Sequence, residues 1–374
     1  MTKKHLIIIF LVLNTLCAFS WQKDTIYGKV KSIREQITFL NENIQNAKLF
    51  SSEGDYGHYG FYSAKFTKSR FHSWWYNTSW VHYINYYKEF NEQGKPKYEI
   101  WFYKNNDTVT ELTYKYDKRD NLIHLKDAYF DDYSSENYKY NHEDKIISAI
   151  SYSSYDPDDY LYTNYIYDDN SRLIEVKNYN EYGRSSGQKF TYDEKGRKKK
   201  SFRYSPYTWV EINRTTTVQE RDSIGIYNLN HEYFYDDNNK ITETHNYSED
   251  EDDSNKVKLT GKLRNTYSNG LLEKIESIRT DGEVGHTVLY KYDKFKRKIK
   301  ESRFSSKYPQ NNIYSDYTYD DQGNIIKLIY TENNTATKVE FKYTFDKKNN
   351  WVKQIKLVDG QELFVWSRKI EYYE

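Results

Sequence analysis

Tyr317-Thr318-Tyr319-Asp320-Asp321-Gln322-Gly323-Asn324-Ile325-Ile326 reads locally as a β-hairpin. Two tyrosines alternate with a threonine, which suits a strand whose side chains point to opposite faces in turn. Asp-Asp-Gln-Gly-Asn then supplies turn chemistry: carboxylate and amide side chains that bond nearby backbone, and a glycine free to take positive φ. Ile325 and Ile326 open the return strand.

The phrase recurs. Positions equivalent to Tyr319 are Tyr116, Tyr140, Tyr167, Tyr192, Tyr235, Tyr267, Tyr292 and Phe345, with Phe90 at the start. The steps are 26, 24, 27 and 25, then 43 and 32, then 25, 27 and 26. A near-constant period of a few tens of residues marks a repeat architecture. After each anchor the seventh residue is usually apolar (Ile123, Ile147, Ile174, Ile299, Ile326, Val352). The ninth often is (Leu125, Ala149, Val176, Leu328), and the eighth is polar (His124, Ser148, Glu175, Lys200, Lys300, Lys327). Period two means strand, with one better-buried face. The expected fold is all-β: an elongated array of antiparallel β-hairpins, as a twisted meander sheet or a short β-solenoid, over residues 86–374.

Composition agrees with a thin sheet. Hydrophobic residues are 37%, below the ordinary globular share, yet 42 Tyr, 18 Phe and 8 Trp exclude disorder. Tyrosine covers a sheet face with its ring and still offers a hydroxyl to water. Only 4 prolines interrupt the chain, as a long hydrogen-bonded ladder requires. Lys+Arg and Asp+Glu number 56 and 55, so no polyanion-attracting field is implied and nucleic acid is not an expected partner.

Residues 1–20 read as a secretory signal peptide: Lys3 and Lys4, an apolar run from Leu6 to Leu13, then Ala18-Phe19-Ser20 with small residues where a signal peptidase reads. The run is short for a bilayer span, and an uncleaved anchor is the alternative. The sole cysteine, Cys17, falls inside it, and Leu16 is bulky for a lipobox. The mature chain is therefore expected without disulfide, thiol catalysis or cysteine-bound metal. It is expected in the periplasm, on the cell surface or secreted, with no stable membrane span.

Residues 21–85 form an aromatic-rich N-terminal segment. Tyr27–Glu35 alternates as a first strand; Ile37–Leu49 is strand or short helix. Gly54, Gly57 and Gly60 sit in an aromatic loop, not between a strand and a helix as a phosphate loop would. Phe71, Trp74, Trp75, Tyr76, Trp80, Tyr83, Tyr86 and Tyr87 are the densest aromatic stretch. It is either a hydrophobic cap on the first edge of the array or a stacking platform, with Trp74, Trp75 and Trp80 as ligand-binding residues for a polysaccharide or an envelope protein.

The pattern Tyr-x-Tyr-Asp-x-x-Gly-Asn/Arg-Leu/Ile resembles the YD repeat of the rearrangement-hot-spot (Rhs) family. It stands as Tyr165-Ile166-Tyr167-Asp168 with Arg172-Leu173, as Thr191-Tyr192-Asp193 with Gly196-Arg197, and as Tyr317 to Ile325. Copies depart at Asn141 and Ser268, where Asp is replaced. The resemblance implies twisted β-sheet, export and, in some members, a hollow shell around a toxin. About ten repeats are expected to be too few to close a shell, and Arg368–Tyr373 reads as a final strand. The family association also carries a sugar-binding label; the alternative is a structural or immunity component of a toxin system.

No His-Glu-x-x-His, Gly-x-Ser-x-Gly or Walker loop is present. His58, His72 and His82 read as packing histidines. Asp156–Asp159, Asp168–Asn170 and Asp236–Asn239 read as turns, lacking the glycine and bidentate glutamate of a calcium loop. Glu249–Asp253 and Lys198–Lys200 read as solvated charge. No carboxylate pair stands out, so the expected protein is non-catalytic and without cofactor or metal.

Overall fold

The computed structural model describes residues 26–40, 48–49, 62–63, 85–102, 106–129, 131–156, 158, 160–180, 182–206, 225–250, 256–332 and 334–374. The strands begin with β1 (Val30–Phe39), the short pair β2 (Lys48–Leu49) and β3 (Tyr62–Ser63), then β4 (Asn85–Phe90), β5 (Pro96–Phe102), β6 (Thr108–Tyr116), β7 (Leu122–Tyr129) and β8 (Asp132–Tyr140). Next come β9 (Ile146–Ser153), β10 (Tyr160–Tyr167), β11 (Leu173–Asn180), β12 (Gly183–Tyr192), β13 (Lys198–Ser205), β14 (Ile226–Tyr235), β15 (Ile241–Glu249) and β16 (Val257–Ser268). The last are β17 (Leu271–Ile278), β18 (Val284–Tyr292), β19 (Lys298–Ser305), β20 (Ile313–Tyr319), β21 (Ile325–Glu332), β22 (Thr335–Phe345), β23 (Trp351–Val358) and β24 (Gln361–Tyr372).

From β4 to β24 each strand pairs antiparallel with the next, as the hairpin reading requires. The array does not stay open. β1 pairs with β24 on one side and with β4 on the other, closing a 22-stranded barrel. This corrects the expected open meander or solenoid. Within the ring, closure leaves no edge strand unpaired; residues 71–84, which hold most of the stretch read as a cap or a stacking platform, lie outside the described residues.

The motif explains the hairpins atom by atom. In the turn after Tyr192, Gly196 N–H donates to Asp193 O (2.9 Å) and Asp193 N–H to Arg197 O (2.8 Å). This is a type I turn followed by a left-handed residue, Gly196 at φ 77°, and beyond it the pairing shifts by one residue at Lys199, between Thr191↔Lys200 and Tyr192↔Lys198. The Asp193 carboxylate accepts the N–H groups of Lys195 and Arg197 and the Arg197 side chain. Asn141 holds its turn in the same way, through Glu143 and Lys145, so that departure keeps the turn.

Anchor hydroxyls stitch successive hairpins. Tyr116 donates to Pro96 O, Tyr140 to Leu122 O, Tyr167 to Ile146 O, Tyr192 to Leu173 O, Tyr235 to Lys198 O and Tyr319 to Lys298 O, at 2.6–2.9 Å. Each acceptor is the first residue of the preceding return strand. Phe345 has no hydroxyl, and Tyr343 two positions earlier donates to Ile325 O instead (2.9 Å). The cation ending each turn lies over the next anchor ring: Arg172 over Tyr192, Arg197 over Tyr235 and Arg297 over Tyr319, at 4.5–4.8 Å.

The anchor-bearing face points inward. Val109 on β6 shares one cluster with Tyr317, Leu328, Tyr330, Val339, Phe341, Trp351, Phe364 and Trp366 on β20–β24, so strands far apart in the ring meet across its interior. Of the ninth-position residues, Leu328 and Val176 are buried; the seventh-position Ile123 and Ile147 stay 37% and 38% exposed. The interior also holds charge. Glu99 accepts from Lys88 (2.9 Å), Trp101 Nε1 (2.7 Å) and the Tyr114 hydroxyl (3.2 Å). Glu301 lies between Lys298 (2.7 Å) and Arg303 (2.6 Å). Burial pushes the Tyr114 and Tyr138 hydroxyls up, helped by Glu99 and Glu136 respectively, and burial raises Asp127.

Candidate functional site

A tyrosine available to a ligand needs a free ring face. The anchor tyrosines are largely committed: the hydroxyl is bonded to a carbonyl, and where the turn ends in Arg or Lys a cation lies over one face of the ring. The inward aromatic rings are therefore architecture.

Parity places other tyrosines outside. On β10, Thr163, Tyr165 and Tyr167 point inward, so Tyr160 and Tyr162 point outward. Register carries this to the neighbours: Tyr160 pairs with Tyr152 on β9, and Tyr162 pairs with Tyr179 on β11, their rings 6.3 Å apart and tilted by 41°. Tyr155, in the β9–β10 connection, is 84% exposed, and Tyr182, in the β11–β12 connection, 65%. Six tyrosines thus gather on one outer sector and its rim. Tyr155 and Tyr182 are exposed and the four strand tyrosines half-buried, which makes this sector the candidate binding face.

One flank of this face is rigid. The Arg184 guanidinium stacks on Tyr204 (3.9 Å to the ring centroid) and reaches Tyr227 (5.1 Å). Glu175 accepts from Arg184 (3.2 Å) and from the Tyr227 hydroxyl, and the two tyrosine rings meet edge-on at 5.5 Å. Gly187 makes room, since a Cβ there would lie 2.7 Å from Val176 O and 3.0 Å from the Arg184 guanidinium. Burial raises the Tyr227 hydroxyl first, and its bond to Glu175 second. Tyr204 is 3% exposed, so this cluster supports the face and offers no surface of its own.

Trp74, Trp75 and Trp80 lie outside the described residues, as do His58, His72 and His82. The repeat pattern does not single out the outer tyrosines. Their signal is parity: Tyr165-x-Tyr167 sets the inward phase, and Tyr160-x-Tyr162 is out of phase with it. An open depression of about 390 Å³ on β15 and β16, beside the turn residue Asp236, is lined by Glu243, Arg264, Asn265, Thr266 and Tyr267. Its lining alternates between outward and inward residues, so it is a gap beside a strand and a weaker candidate than the tyrosine face. Among the described residues no group of three His, Cys, Asp or Glu side chains has metal-ligand geometry, and no helix is long and apolar enough to cross a membrane.

No family model matches the chain, and no curated protein matches it. Solved structures similar to it include a TcdB2–TccC3–Cdc42 complex, at TM-score 0.39 and 13% identity, covering 75% of this chain and 15% of that one. The Tc holotoxin pore of Photorhabdus luminescens aligns at 0.40 and 12%, covering 89% and 18%. A porin-like protein of Bacteroides uniformis aligns at 0.24 and 12%, covering 70% and 90%. The chain spans less than a fifth of the length of the two toxin chains.

Proposed function

We propose that this protein is an exported, non-catalytic YD-repeat barrel of the bacterial cell envelope that binds carbohydrate on its outer tyrosine face. One observation carries the reading: Tyr152, Tyr155, Tyr160, Tyr162, Tyr179 and Tyr182 share one outer sector, while the anchor tyrosines of the repeats are consumed by architecture. Tyrosine rings stack on the apolar faces of sugar rings, and their hydroxyls bond sugar hydroxyls. A single aromatic would be unremarkable; neighbouring strands carrying several give a strip that matches an extended chain.

The outer wall disfavours a lipid-embedded pore. Outward positions carry Lys200 with Glu232 (3.2 Å), Lys300 with Asp316 (3.1 Å), Lys274 with Glu276 (3.1 Å), and Glu243 among His245, Lys262 and Arg264. A lipid-facing Lys or Arg at the bilayer midplane costs roughly 2–4 kcal/mol each, and a membrane barrel instead presents an apolar band.

Binding of residues 21–374 to a polysaccharide panel tests the proposal, with Tyr160→Ala/Tyr162→Ala and Trp74→Ala/Trp75→Ala/Trp80→Ala variants in parallel. Loss of binding in the tyrosine variant, with its far-ultraviolet spectrum unchanged, is the expected result. Loss only in the tryptophan variant moves the site to the N-terminal segment. A wild type that binds no glycan refutes the carbohydrate reading and leaves an envelope protein as the partner to seek.

A further inference from the structure

Among the strands of the ring, β1 stands apart because its neighbours on both sides are remote in sequence. It pairs with β24 over nine positions from Val30↔Tyr372 to Phe39↔Phe364, and with β4 from Ser32↔Glu89 to Gln36↔Asn85. No turn ties it to either. After Phe39, 45 residues intervene before β4; the next longest connection in the ring, 206–225, has 20. The remaining hairpins are joined by much shorter links.

The seam nevertheless has a specific lock. Glu35 and Arg368 face each other across β1 and β24, both buried, with Arg368 Nε 2.6 Å from Glu35 Oε1. The guanidinium lies 3.6 Å from the centroid of Trp351. Ser32 Oγ donates to Glu371 (3.1 Å). At the same end Asn350 bonds both the N–H and the C=O of Tyr27. A one-residue slip would remove Glu35 from Arg368 and leave a buried charge unmatched, so the slot between β24 and β4 recognises the β1 sequence in one register.

We propose that β1 is an exchangeable closing strand, and that the slot between β24 and β4 takes the β1 of a second copy of this chain, giving a reciprocal strand-exchanged dimer. The recognition is in the strand, and the covalent link contributes little. Loop-closure entropy grows with the length of chain closed, so the 45-residue link favours β1 in its own barrel less than a short turn would. At high protein concentration the second copy competes, and every hydrogen bond and the charged lock form equally well in the exchanged dimer.

Charge reversal tests this with full chains. Glu35→Arg puts two cations in one seam, and Arg368→Glu puts two carboxylates in the other. In an equimolar mixture, reciprocal exchange between the two variants restores opposite charges at both seams. The variants are refolded together and separately, then sized by chromatography with light scattering. The expected result is about tenfold or more dimer in the mixture than in either variant alone, and higher thermal stability of that dimer. A mixture that behaves as the sum of its components overturns the proposal, provided the double variant Glu35→Arg/Arg368→Glu folds as a monomer. Should the double variant fail to fold, Thr38→Cys/Val365→Cys decides, because these residues are paired across the same seam. Disulfide-linked dimers formed on concentrating the chain support exchange; only intramolecular disulfides exclude it.

Discussion

Tyr319 donates its hydroxyl to Lys298 O at 2.6 Å while Arg297 lies over its ring and pairs with Asp293 at 2.7 Å. Tyr319→Phe keeps the ring and deletes the stitch, so it should cost about 1 kcal/mol in urea-induced unfolding, the worth of one hydrogen bond to a partly buried carbonyl. The native Phe345 escapes that loss only because Tyr343 supplies a hydroxyl to the equivalent carbonyl. The turn carboxylates add a pH dependence. Arg172 donates to Asp168 through its side chain and, as the second cause, its backbone N–H, holding that carboxyl below its ordinary 3.8. At Asp117 the backbone N–H of Asn121 is the largest cause of a shift in the same direction. A depressed folded value means the stabilisation is complete above the unfolded value and is lost as pH falls through the folded one. Acid unfolding followed below about pH 4 should therefore be shallower in Asp168→Asn than in wild type. The turn itself should survive, as Asn141 demonstrates at the equivalent position. A variant as acid-sensitive as wild type would remove Asp168 from this account.

At the level of hairpins, the sequence is legible on its own. Tyr317–Ile326 does form the end of β20, a turn and the start of β21. The period locates most of the hairpins because each repeat meets its neighbour through bonds fixed at constant offsets. The backbone conformation of the turn gives a direct check. Except after Tyr267, where Asn269 and Gly270 form a shorter turn, its fourth loop residue is left-handed, and Lys296 occupies that position at φ 64° where Gly196 and Gly323 stand elsewhere. Left-handed backbone costs a non-glycine residue roughly 1–2 kcal/mol, part of which glycine returns as chain entropy. Lys296→Gly should therefore stabilise by about 0.5–1 kcal/mol in thermal or urea melts, and Gly196→Ala should destabilise by about 1 kcal/mol. Opposite signs would mean the turn is set by the carboxylate and not by the left-handed residue. Two element-level facts are harder to see. Tyr160 and Tyr162 read like further repeat tyrosines until their phase is set against Tyr165 and Tyr167. The first strand, read as Tyr27–Glu35, runs instead over Val30–Phe39, because its register is chosen by β24 and β4 and not by its own alternation.

Closure belongs to the whole molecule and has no local signature. A hairpin in an open meander and one in a barrel have the same turn, period and alternation; what differs is a pairing between residues more than 300 positions apart, such as Glu35 and Arg368. An open array would behave as a sum of neighbouring hairpin terms. A ring adds the condition that the remaining strands still bring β24 to β1. Deleting residues 293–319 joins Tyr292 to Asp320, and deleting 141–167 joins Tyr140 to Asp168; both remove 27 residues and two strands and rebuild a Tyr-Asp turn. Each should leave a folded 20-stranded ring, less stable than the parent and melting in one transition. They should differ in function. The first leaves the outer tyrosine face intact. The second removes Tyr152, Tyr155, Tyr160 and Tyr162 together, so it should lose glycan binding while keeping its fold. Circular dichroism, melting and a binding assay on the two deletions therefore separate architecture from recognition. If both chains unfold, the ring is a single cooperative object that tolerates no change of strand number, and the repeat is a device for making strands and not an independent unit. If both fold and both bind, the tyrosine sector is not the site.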